Sequence, residues 1–182
     1  MITNPITIGQ ALNLDKYLSK QTLTVIPECP KPERLCGRLL PDNLNDLTFG
    51  ELLELQSEMD ITLMIKRCGS IILHLDSEIM NAQAVDVFGF IFWVGRELER
   101  IAALFASTRS QPTPEEIRAG INDLDFGPFG IIDWYARRMG ISEHDDVLKF
   151  KWVRIYQCMK IDCDISSYER RLRETIIKKT NK

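Results

Sequence analysis

Three times along this chain a Ser or Thr stands three residues ahead of a glutamate: Thr48 and Glu51, Thr113 and Glu116, Ser166 and Glu169. This spacing is a capping box. The hydroxyl accepts a hydrogen bond from the backbone N–H three residues on, and the carboxylate reaches back to the N–H of the capping residue. Each box therefore commits its segment to the start of a helix. Leu47 and Leu52 flank the first where a hydrophobic staple requires them, and Pro114 follows Thr113 at the first helical position, where its missing N–H costs nothing.

The apolar residues between these signals keep helical spacing. Phe90, Val94, Leu98, Ile101 and Phe105 repeat at four, four, three and four residues, with Arg96, Glu97, Glu99 and Arg100 as a charged face, and predict a helix over Ala82–Ala106. Leu52, Leu55, Met59 and Leu63 predict one from Phe49 to Cys68, stopped by Gly69. Ile131–Met139 reads as a short helix ending at Gly140. Ser142-Glu143-His144-Asp145 opens another, carrying Leu148, Trp152, Ile155, Tyr156 and Met159, and Ser166 opens a C-terminal helix. A short helix fits Ile8–Leu18. Ser70–Asn81, with Ile71, Ile72, Leu73 and Leu75, suits either a strand or a buried helical turn, and His74 within it reads as a semi-buried, satisfied residue.

No ladder of alternating residues appears, so the expected class is all-α: a single-domain irregular helical bundle. Pro27, Pro30, Pro32 and Pro41 lack donors and restrain their predecessors, which makes Gln21–Pro41 an extended arm. The expected division is therefore 1–46, a short helix and proline-rich arm, and 47–182, the helical domain. With 182 residues the chain can bury about 70% of its unfolded surface and needs neither disulfide nor metal to fold.

Charge narrows the function. The net charge is -3, whereas a protein that coats nucleic acid gains affinity from a basic surplus. The charge is uneven: every charged residue from Asp42 to Asp60 is acidic, while Arg170, Arg171, Arg173, Lys178, Lys179 and Lys182 crowd the C-terminus. Such asymmetry permits copies to associate head to tail, and equally describes two solvated faces. The five cysteines are odd in number and lack a C-x-x-C pair, and only two histidines accompany them, so neither a disulfide framework nor a zinc site is expected. The N-terminus has no basic or apolar leader region, and the Val85–Val94 stretch is shorter than the roughly 20 residues of a membrane span. These features point to a cytoplasmic protein.

Four constellations invite a sharper reading. Ala136-Arg-Arg-Met-Gly140-Ile141-Ser142 has the small-residue spacing of a helix-turn-helix turn, so residues 131–155 with the basic tail form the alternative reading, a nucleic-acid-binding regulator. Against it, Asp146 occupies the anchoring apolar position, and Glu143-His144-Asp145-Asp146 would meet phosphates with acid. The same acids with His144 do not converge as metal ligands, because adjacent helical positions diverge. No G-x-S-x-G or Cys/His nucleophile motif is present, and Gly127-Pro128-Phe129-Gly130 lacks the lysine of a phosphate loop. The expectation is a non-enzymatic protein with no catalytic residues, cofactor or metal. Phe88, Phe90, Phe92 and Trp93 cover more than one side of their helix, which fits central burial, the reading preferred, or a face for a partner.

The layout from residue 47 to 173 resembles small helical proteins of tailed-phage structural clusters, in particular tail assembly chaperones. The resemblance rests on Leu47-Thr-Phe-Gly-Glu-Leu52, the Phe90–Phe105 helix, the run from Phe126 to Ala136, the Trp152–Tyr156 helix and Tyr168-Glu-Arg-Arg-Leu172. It implies a bacteriophage virion-assembly protein of the host cytoplasm that shields an apolar segment of a tape-measure or tail-tube subunit. The candidate partner-binding residues are then Val25, Ile26 and Leu35 in the arm, Phe126, Phe129 and Trp134, and the basic Arg170, Arg171 and Arg173. A structural protein is the expected partner, a homo-oligomer is allowed, and membrane and nucleic acid are disfavoured.

Overall fold

The computed structural model describes residues 6–14, 29–57, 60–109 and 112–180. The fold is all-α. Its helices are α1 (Ile8–Leu14), α2 (Phe49–Gln56), α3 (Ile61–Leu73), α4 (Ala84–Ala106), α5 (Pro114–Arg118), α6 (Gly127–Met139), α7 (His144–Val147) and α8 (Trp152–Thr180). Short 3-10 turns occupy Ser77–Asn81 and Ile121–Asp123. No helix among the described residues is long and apolar enough to cross a membrane.

The chain divides into two compact units: Met1–Leu44 with Glu54–Arg100, and Asn45–Leu53 with Ile101–Lys182. The boundary read at residue 46 is thus corrected, because the proline-rich stretch groups with the helices of the first unit. The stretch read as an extended arm contains a pairing the sequence did not predict. Arg34–Leu35 and Arg38–Leu39 pair as a small antiparallel hairpin, β1 and β2. The turn places Cys36 and Gly37 at φ 48° and 76°, the two positive values that the twist of a two-residue hairpin demands.

The arm is held down by its own unit. Leu35, Leu40 and Leu44 are buried. Lys31 Nζ donates to the Pro41 carbonyl at 2.6 Å and lies 4.3 Å from the Trp93 ring centroid. The Leu44 N–H donates to Glu97 Oε2 at 3.1 Å, while Arg100 grips the same carboxylate through Nε at 3.0 Å and Nη2 at 2.8 Å. Those bonds from Arg100, joined by the Leu44 N–H, hold the Glu97 carboxyl below its ordinary range. A Cβ at Gly89 would lie 2.2 Å from the Pro30 carbonyl oxygen, so only glycine lets the arm cross α4 there.

The helix expected over Phe49–Cys68 is two helices. Asp60 Oδ1 accepts from the N–H groups of Thr62 and Leu63 at 2.9 and 3.0 Å and starts α3 afresh. Gly69 does not stop that helix. It lies buried in mid-helix, where a Cβ would stand 2.9 Å from the Ile79 side chain. The stop falls at His74, in the left-handed conformation at φ 53°, with the Leu75 N–H donating to the Gly69 carbonyl at 3.0 Å. His74 is accordingly an exposed cap rather than a semi-buried side chain. The ambiguous 70–81 segment is the end of α3 followed by a 3-10 turn. Burial pushes the Cys68 thiol up to about 12, well away from thiolate chemistry.

In the second unit the Thr48 box forms as expected: the Thr48 N–H donates to Glu51 Oε2 at 2.8 Å, and the Glu51 N–H to Thr48 Oγ1 at 3.2 Å. This segment docks on the approach to α8, the Phe49 N–H donating to the Phe150 carbonyl at 2.8 Å and the Trp152 N–H to that of Leu47 at 3.2 Å. Phe49, Phe105, Trp152 and Tyr156 form an aromatic cluster with centroids 6.0–6.3 Å apart. Thr113 also makes its full box. Ser166 does not, because α8 runs unbroken from Trp152 to Thr180. Nor does Ser142 cap α7, whose cap position is Glu143.

Candidate functional site

The second unit carries an open groove of about 970 Å³. Phe105 at the end of α4, Ile131 and Trp134 of α6 and Met159 of α8 supply its apolar lining, with Ile121, Leu124 and Phe126 alongside. Arg109, Glu116, Asp125 and Asp162 add charge. Polar and apolar groups share this lining about equally, so an occupant would be held both by burial of apolar surface and by charge.

The local chemistry explains why this rim exists. The Thr113 box starts α5, but the helix lasts five residues, and neither it nor the following 3-10 turn buries a single side chain. Glu116 is held below the ordinary carboxylate range by bonds from the Thr113 N–H and hydroxyl. Asp125 Oδ1 then accepts from the Gly127 N–H at 2.8 Å and turns the chain into α6. The segment is thus locally well ordered and yet apolar outward: Ile117, Ile121, Leu124, Phe126 and Phe129 are all exposed, Phe126 by 70%. Apolar side chains gathered in one exposed segment mark an interaction surface more often than scattered single ones do.

The sequence-derived candidates separate clearly. Phe126 and Trp134 line the groove. Trp134 is half-buried, with the Arg138 guanidinium 5.7 Å from its ring centroid and the Arg138 side chain ion-paired to Asp162. Phe129 is exposed but packs edge-on against His144, centroids 5.1 Å apart. Arg170 and Arg171 sit by a second, smaller hollow along α8, and Arg173 pairs with Glu169 at 3.2 Å. Leu35 is only 2% exposed, so its reading as a binding residue is corrected: it is core of the first unit. Val25 and Ile26 lie outside the described residues. Ile121, Leu124, Ile131 and Met159 were not foreseen; Ile117, Ile121 and Leu124 keep helical spacing across Gly120, a signal too short to stand out.

The remaining constellations lose their geometry. A helix-turn-helix unit needs a second helix long enough to enter a groove, and α7 is a single turn, His144–Val147. His144 Nε2 lies 3.5 Å from Asp133 Oδ1, and that pair belongs to packing beside Phe129. Among the described residues no three His, Cys, Asp or Glu side chains gather in a metal-binding arrangement. No protein-family model, curated protein or solved structure matches the chain.

Proposed function

We propose that this chain is a non-enzymatic interaction protein that binds an apolar segment of a structural protein in the groove of its second unit. Following the resemblance to tail assembly chaperones, the client is a tape-measure or tail-tube subunit, and the task is to keep that segment from aggregating before assembly. One observation carries the reading: an ordered segment, Pro114–Phe129, turns five large apolar side chains outward beside a groove lined by Phe105, Ile131, Trp134 and Met159. Burying those side chains against a client would release about 25 cal/mol for each Å² of apolar surface covered.

The test is co-expression with candidate tape-measure and tail-tube subunits, followed by co-purification of the wild-type chain and of a Phe126→Ser, Phe129→Ser double variant. Co-purification lost in the variant, with unchanged helical circular dichroism, supports the reading. Equal retention of the client by both proteins overturns it. Salt-sensitive retention of nucleic acid, abolished when Arg170, Arg171 and Arg173 become alanine, would replace it with the regulator reading.

A further inference from the structure

α8 is 29 residues long, yet only its first part is firmly seated: Trp152 and Ile155 are buried there, and the last turns are exposed all round. Between the two ends, Lys160, Asp164, Ser167 and Arg171 recur at four, three and four residues and so share one face of the helix. That face, with Arg170 beside it and Arg109 at the exit of α4, lines the smaller hollow of about 440 Å³. The hollow is contiguous with the groove, because Arg109, Cys163 and Ser166 line both. A segment that leaves the groove past these three side chains enters the hollow.

Charge along this continuous surface is answered unequally. In the groove, Asp162 pairs with Arg138, Glu116 accepts from the Thr113 N–H at 2.7 Å, and Asp125 accepts from that of Gly127. The hollow carries four cations, Arg109, Lys160, Arg170 and Arg171, against one carboxylate, Asp164. Lys160 Nζ holds that carboxylate at 2.6 Å, and Arg170 adds to the Thr113 bonds that keep Glu116 ionised. Among the described residues no carboxylate pairs with Arg109 or Arg171. Two unanswered guanidinium groups in a chain of net charge -3 make a local recess for an anionic group, held by charge-assisted hydrogen bonds. A nucleic-acid strand running on from the hollow would carry its phosphates to Glu116 and Asp125 in the groove. A peptide can confine its negative charge to one end.

On the reading of the groove as a client site, on which this one rests, we infer that the client segment is an apolar run that ends in acidic residues. The apolar run covers Phe126 and Trp134, and the acidic end seats in the hollow against Arg109 and Arg171.

Selection from a displayed library of random peptides on the immobilised full chain tests it. Enriched sequences carry an apolar run with Asp or Glu at one end, and the Phe126→Ser, Phe129→Ser variant loses them. A representative enriched peptide binds an Arg109→Glu, Arg171→Glu variant roughly tenfold more weakly, since each exposed charge contact contributes modestly. Lysines in place of its acids restore binding to that variant. Both arginines are exposed, so the melting curve stays where it is. The wild type alone gives a second readout: affinity for the acidic peptide falls as salt rises, and affinity for its glutamine counterpart does not. Apolar enrichment without acid, or an acidic peptide indifferent to the reversal or to salt, overturns the inference and leaves the groove reading standing. No enrichment, or capture that the serine variant retains, overturns the groove reading and this one with it. Displacement of the acidic peptide by an equal concentration of single-stranded oligonucleotide assigns the hollow to phosphates instead.

Discussion

Two irregular stretches of this chain have similar sequence character and opposite fates. Residues 29–44 and residues 112–130 both carry proline, glycine and isolated large apolar residues, and both read from sequence as surfaces for a partner. In the first unit the stretch is satisfied from within: Leu35, Leu40 and Leu44 are buried, Glu97 accepts from Leu44, and Gly89 opens space for Pro30. In the second unit α5 and the turn after it bury nothing, and Ile117, Leu124 and Phe126 point outward. The difference lies in what faces each stretch. Whether an apolar loop becomes core or interface depends on whether the unit itself supplies a glycine notch, a carboxylate and an aromatic face to receive it.

Substitutions should split along the same line. Leu35→Ala removes a buried side chain from the hairpin and should cost about 2–5 kcal/mol of stability in chemical denaturation. Gly89→Ala forces a methyl against the Pro30 carbonyl and should cost about 1–3 kcal/mol; a neutral result would mean that the arm is not seated on α4. Glu97→Ala should cost about 2 kcal/mol near neutral pH, where it removes the carboxylate that accepts from the Leu44 N–H and the Arg100 guanidinium. That loss has a pH signature. The folded-state pKa of Glu97 is depressed, so its contribution is fully present above the unfolded-state value and disappears as pH falls through the folded one. The gap between wild type and variant should therefore close on acidification. In the second unit, Leu124→Ser and Phe126→Ser should each change stability by less than about 0.5 kcal/mol, as exposed positions do. A large loss there would show the segment to be core, and the comparison would fail.

What could be read in advance was set by local chemistry. The Thr48 and Thr113 boxes, the α4 apolar period and the Gly140 stop each concern residues within one or two turns of one another, and all form. Ser166 had the same local signature and failed. A helix propagating from Trp152 has already met the cost of nucleation, and a serine pair in its path costs only a few tenths of a kcal/mol each. The hairpin was hidden because Cys36 is not a residue that advertises positive φ. Gly69 was mistaken for a stop because its reason for being glycine, the Ile79 side chain, is ten residues away. The groove was half legible: Phe126 and Trp134 stood out as aromatics, whereas the convergence of Phe105, Ile131 and Met159 on them depends on tertiary packing.

The unequal seating of α8 gives one helix two kinetic regimes. Amides that follow Trp152 and Ile155 can exchange with solvent hydrogen only when the buried aromatic cluster opens, so they report the stability of the whole unit. Amides beyond Ile161 lie on a helix that most of its neighbours have left behind, and they can exchange by fraying back from the C-terminus. A protection profile along this single element should fall in a step near residue 160, and the height of that step measures how much of the helix the fold itself sustains.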